Sequence, residues 1–285
     1  MLRVYFESEK EVLMFCEKLF YLDKNIELHW KHQKEWGILL QIESEIQDSD
    51  FIEFIAKLMA EVFIAHRFGT IVKNIIKKNY YFSDCEEIKR IHEITNGILS
   101  GNNAVSLLQT ERIKRDFPEN LLENLFLNNI KNTNTIHYDS IVKFGLKEFR
   151  DEMINYIGLA IDEYKREEEH QEFINSLRTY ISKKDPGIPV IHILQGSTFS
   201  FFLEDGKNLS KVDLQALMQK EPLYLFGLDE SELNLSPLIA MAPEKVKIYG
   251  DDPAEPKTLT VINVFQEKVE FQSTREFPFY IHKNQ

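Results

Sequence analysis

IVKFGLKEFRDEMINYIGLAIDEYKREEEHQEFINSLRTYI, residues 141–181, decides how the rest of the chain is read. Leu146, Phe149, Met153, Ile157, Ala160 and Tyr164 recur at the three- and four-residue spacing of a single helix face. The stripe lapses over a charged block from Glu163 to Glu172. An unbroken helix from 144 to 182 would span about 60 Å at the α-helical rise. That is long for a compact domain, so a bend or break is expected inside the charged block. Asp185, Pro186, Gly187 and Pro189 end the helix.

Upstream, LRVYF (2–6) reads as a strand and Ser8 as the cap of a helix to about Leu22, with Glu11 closing a capping box. Val12, Phe15, Cys16 and Leu19 give that helix its apolar face. IELHWKH and EWGILLQIE form a hairpin that turns near His32–Glu35. This β-α-β-β unit is too small to be stable alone. A long helix starts at Asp50, with Phe51, Ile55, Leu58, Val62, Val72 and Ile76 inward and a bend or close crossing at Gly69. Ser83 or Asp84 caps the next helix, which ends near Leu99. One or two shorter helices occupy 104–135. The Asn- and Thr-rich run from Asn128 to Asn134 is read as a loop and as the boundary between a region 1–135 and a domain 136–285.

Downstream, the period changes to two. PVIHILQ and TFSFFLE are strands joined at Gly196-Ser197, and Asp205-Gly206 is a second turn. Pro237 starts a short helix, PLIAMA. KVKIYG and KVEFQ are strands separated by a helix over 257–266, a connection long enough for a parallel crossover. Residues Thr274–Gln285 form a tail. The expected fold class is α+β: the N-terminal β-α-β-β unit, a helical middle, the long helix and a C-terminal α/β layer.

The chain has 285 residues and 43% hydrophobic side chains, enough for a substantial core. Its formal charge of −12 opposes a phosphate backbone at long range, so nucleic acid is an unfavoured partner despite Lys73, Lys77 and Lys78. Two distant cysteines, Cys16 and Cys85, build neither a disulfide framework nor a zinc site. No apolar run is long enough for a signal peptide or a spanning helix, so the expected location is the cytoplasm.

No catalytic signature emerges. Neither G-x-x-x-x-G-K-[ST] nor G-x-G-x-x-G occurs. Gly196-Ser197 is a turn between strands rather than a nucleophile elbow. Glu167 and His170 have the i, i+3 spacing used in di-iron bundles, but no second pair accompanies them. His29 and His32 lack companion ligands. Cys16 reads as a small buried hydrophobe and Cys85 as a thiol near a helix N-terminus, where a thiolate would be stabilised. Trp30 and Trp36 flank the hairpin turn, where core or cross-strand packing is favoured over an exposed patch. Asp251 and Asp252 follow a strand end, where small ligands bind in α/β sheets. No metal, cofactor or catalytic residue is assigned.

FGLKEF (144–149), AIDEY (160–164) with EEEHQEFI (167–174), VIHIL (190–194) and LIAMAPEKVKIY (238–249) together resemble the YtxC-like sporulation protein family. The likeness covers mainly residues 141–272. Gly145, His170 and Pro237 depart from the family's pattern, which has Arg, Tyr and an uninterrupted apolar helix there. The resemblance implies a sporulation-associated protein of endospore-forming bacteria and carries over no catalytic residues. The expected function is a non-enzymatic, cytoplasmic role through a protein partner, with Glu167, Glu168, Glu169 and His170 as the contact surface. The alternative is an enzyme or small-ligand sensor sited at Asp251 and Asp252.

Overall fold

The computed structural model describes residues 1–22, 26–33, 37–43, 49–100, 118–131, 133–228 and 231–279. The fold is α+β, with two mixed four-stranded sheets. The chain divides into two compact units, Met1–Lys165 and Arg166–Gln285.

In the first unit, β1 (Leu2–Phe6) pairs antiparallel with β3 (Gly37–Glu43), and β2 (Glu27–Gln33) pairs antiparallel with β3's other edge. A three-residue strand, β4 (Thr135–His137), lies parallel to β1, giving the order β2-β3-β1-β4. Leu2, Val4 and Phe6 alternate inward along β1. They meet Val12, Phe15 and Leu19 of α1 (Glu9–Leu22) in one core. Gly37 opens β3 at φ +76°, and a Cβ there would collide with the Phe6 carbonyl oxygen. Only glycine meets both conditions. The edge strand β2 is mostly exposed, and Trp30 is 52% exposed on it. Trp30 pairs across the strands with Leu40, so of the two expected placements the cross-strand one holds and the core one does not. Trp36 lies outside the described residues.

Helices supply the rest of this unit. α2 (Ser49–Phe63) packs along α5 (Pro118–Ile130), and α4 (Cys85–Leu99) packs on α3 (Gly69–Asn79). Asp84 caps α4 by accepting from the N–H groups of Glu86 and Glu87. Between α2 and α3 the expected single helix loosens into a π-helical turn, Ile64–Phe68, immediately before Gly69. α5 continues to Ile130, so Asn128 and Asn129 are helical rather than loop. The expected boundary at 135/136 is not where the units part. Residues 135–137 are sheet, and α6 (Tyr138–Gly145) buries Tyr138 and Val142 in the same core.

α7 (Lys147–Ser182) is helical throughout, so the chain does not break within the charged block. Local backbone hydrogen bonding suffices there, because every residue from 163 to 172 is compatible with a helix. The lapse in the stripe marks a change of core instead. Phe149, Met153, Ile157, Ala160, Ile161 and Tyr164 belong to the first core, while Ile174, Leu177 and Ile181 belong to the second.

The second unit's sheet has the order β6-β5-β7-β8. β5 (Val190–Leu194) and β6 (Ser200–Leu203) are antiparallel, while β7 (Lys245–Gly250) is parallel to β5 and β8 (Val269–Ser273) to β7. α8 (Lys211–Met218), α9 (Ser236–Met241) and α10 (Pro256–Phe265) pack with Ile191, Ile193, Val246 and Ile248. The opposite face presents His192, Phe202 and Tyr249, against which Phe277 and Phe279 of the tail pack edge-to-face. Among the described residues, no helix is long and apolar enough to cross a membrane.

Candidate functional site

Asp251 and Asp252 leave the end of β7 beside Gln195, the residue after β5. The Gln195 carboxamide fills the loop. Its Nε2 donates to the Asp252 carbonyl at 2.7 Å and to Thr258 Oγ1 at 2.8 Å. Its Oε1 accepts from the backbone N–H groups of Asp251 and Asp252 at 3.1 and 3.2 Å. The side chains are engaged too: Asp251 accepts from Thr274 and Asp252 from the Ala254 N–H. The amides that would receive an anion at this strand end are thus satisfied by the chain itself.

Glu168, Glu169 and His170 are exposed on α7 and Glu167 is half-buried. This stretch belongs to neither hydrophobic core. Among the described residues, no three His, Cys, Asp or Glu side chains come together as a potential metal site. His29 and His32 are exposed on β2, where His32 lies 3.4 Å from Glu9. Cys16 is partly buried, and burial pushes its thiol up to about 11. Cys85 is exposed at the start of α4.

The polar centre of the first unit was not legible in any motif. It is built on the π-helical turn, a feature often found at functional sites. Arg67 donates from Nε and Nη2 to both oxygens of Glu11 at 2.5 and 2.6 Å, and from Nη2 to Asp139. Glu11, expected in a capping box, is instead buried under this fork. Its hydrogen bonds, with those of Asp139, hold the guanidinium's pKa above its ordinary value against the opposing effect of burial. Asp139 also accepts from the Glu7 N–H at 2.7 Å. The guanidinium sits 5.1 Å from the centroid of the fully buried Tyr138 ring. Burial pushes that phenol well up, and its hydroxyl has no hydrogen-bond partner.

The same turn faces a cavity of about 450 Å³ with Ile64, Ala65 and Phe68. Phe149 closes part of it, and His92, Asn96 and Glu119 supply polar groups. His92 Nε2 is buried without a hydrogen-bond partner, and burial together with Lys73 holds its imidazole below the usual range. An apolar chamber with a few converging polar atoms has the character of a small-molecule site.

The YtxC-like family model matches residues 53–270, three quarters of the chain and parts of both units. The chain belongs to the YtxC-like family. This YtxC-like chain is 27% identical over 228 residues to the uncharacterized protein YtxC of Bacillus subtilis (strain 168), covering 79% of this chain and 78% of that relative. No solved structure matches. Within the matched region lie the π-helical turn, Arg67, His92, the Glu167–His170 span and the Gln195–Asp252 loop.

Proposed function

We propose that this YtxC-like protein acts in sporulation, in the cytoplasm, by binding a protein partner through Glu167, Glu168, Glu169 and His170. The observation that supports this reading is the composition of α7. Both ends of the helix are committed to hydrophobic cores, while the span between them is charged and carries exposed Glu168, Glu169 and His170. Such a surface suits a basic partner by charge complementarity. Affinity purification of the tagged protein from cells entering sporulation tests it. A reproducible partner lost on E167K/E168K/E169K supports the reading. Retention of every partner by that variant counts against the surface, and a preparation with no partner counts against the function.

A second reading, a small-ligand sensor, draws support from the cavity at the π-helical turn with its unpartnered His92 Nε2. Asp251 and Asp252 remain the proposed site only if a ligand displaces the Gln195 carboxamide. Gln195→Ala would then increase ligand-induced thermal stabilisation.

A further inference from the structure

At the junction of α6 and α7 the first unit has an open cleft of about 620 Å³. Lys143, Lys147 and Arg150 line it, with Asp151 as its one carboxylate among the described lining residues. Phe144 stands at the same cleft with 77% of its surface exposed. Ile71, Val142 and Ile154 supply apolar wall.

The cleft gathers three cations around one carboxylate. Elsewhere in the first unit Arg67 and Lys18 are in ion pairs with carboxylates. Among the described residues, Lys143, Lys147 and Arg150 have no such partner, and Lys143 has only the Phe144 ring, 5.7 Å from its ammonium. Three cations against Asp151 leave two net positive charges, in a chain whose formal charge is −12. Concentrated positive charge at a concave site focuses the field on anions. A phosphate monoester near neutral pH carries about two negative charges, matching that excess. Arg150 offers a planar fork for phosphate oxygens, and the lysines offer mobile point charges. An exposed aromatic ring beside them suits stacking with an apolar or aromatic group on the same ligand.

We propose that this cleft binds a small organic phosphate monoester whose other end is aromatic or apolar. The phosphate lies between Lys147 and Arg150, Lys143 adds the third charge, and Phe144 covers the apolar end. The inference is independent of the Glu167–His170 surface, which E167K/E168K/E169K tests separately.

The test is titration calorimetry on the full chain with phenyl phosphate, inorganic phosphate and benzyl alcohol as probes. Phenyl phosphate is expected to bind more tightly than either of the others, with an affinity that falls as salt rises. K147E/R150E is expected to weaken it by about tenfold or more, the loss associated with charge-assisted hydrogen bonds. Phe144→Ala is expected to bring phenyl phosphate down towards inorganic phosphate. Lys147→Gln, a milder change at an exposed position, keeps the test valid if the double reversal unfolds. Absence of phenyl phosphate binding overturns the proposal, as does binding that K147E/R150E and Lys147→Gln leave unchanged. Capture of a poly-glutamate peptide without phenyl phosphate binding also overturns it, and would assign the cleft to an acidic protein segment.

Discussion

β4 in the first unit and β8 in the second each complete a four-stranded sheet by lying parallel to a neighbour, but they reach that position differently. β8 follows β7 across the single helix α10, the ordinary geometry of a short crossover. β4 is three residues long and pairs with β1 only after the chain has passed through the helical middle. The polar clamps differ in the same sense. Beside β4, Arg67 joins α1 through Glu11 and the start of α6 through Asp139, so one guanidinium ties together three segments far apart in sequence. In the second unit Lys184 meets Glu221 at 2.6 Å, and Tyr180 donates to the same carboxylate at 2.5 Å. That group is smaller and has one carboxylate rather than two. The difference teaches that the unit whose sheet closes over a long chain distance draws three segments together through one guanidinium, whereas the unit with the short crossover carries pairwise clamps such as Lys184–Glu221 and Lys245–Glu270.

The largest test of that contrast is Arg67→Ala. It leaves the buried Glu11 and the partly buried Asp139 without their cation, at a cost of about 3–5 kcal/mol. Urea unfolding followed by hydrogen exchange should show the loss in peptides from Met1–Lys165 and leave those from Arg166–Gln285 unchanged. Equal loss in both would break the comparison. Next comes Gly37→Ala, which forces a side chain into a left-handed backbone position against the Phe6 carbonyl, for about 1–3 kcal/mol. Its effect should appear as faster exchange in β1 and β3.

Glu221→Gln is expected to cost less, about 1–2 kcal/mol, and to register in the second unit alone. Burial raises the Glu221 carboxyl, but the hydrogen bonds from Lys184 and Tyr180 outweigh it and hold the pKa below the usual carboxylate range. A depressed folded-state pKa means that this stabilisation is complete above about 4.5 and fades as pH falls through the folded value. In Glu221→Gln that part of the acid transition should vanish.

The smallest effect compares two desolvated imidazoles, that of the half-buried His92 and that of the buried His192. Burial holds both His92 and His192 below the ordinary 6.5, helped by Lys73 and Lys247 respectively. The unfolded chain then takes up protons first, so stability is full above about 6.5 and declines as pH drops below it. His92→Gln should flatten the profile of the first unit and His192→Gln that of the second. Unchanged slopes in both variants would remove histidine from the account.

Much of the second unit was legible because its signals are local. VIHIL, KVKIYG and KVEFQ alternate or run apolar between turn residues, and the spacing of the last two calls for a parallel crossover. The helix Lys211–Met218 drew no expectation, although Ser210 and Asp213 form a capping box that the sequence displays. In the first unit the inward stripes of α1 and α2 were equally plain. Trp30 packs across the strands rather than in the core, because residue type does not reveal that β2 is an edge strand. Glu11 was misjudged because a capping-box spacing cannot exclude a more distant cation that binds the carboxylate more strongly. Neither expected site residue set showed why its neighbours matter, since Gln195 is far from Asp251 in sequence.

The sequence by itself determined most of the helices and strands, apart from β4 and Lys211–Met218, and membership of the YtxC-like family, because periodicity, caps and turns act over a few residues. Only the tertiary structure decided that β4 joins β1 and that Arg67 meets Glu11 and Asp139. Those facts depend on which charges the fold brings together and which it leaves apart. Coulombic and hydrogen-bond energies follow distance in space, and chain position does not encode that distance.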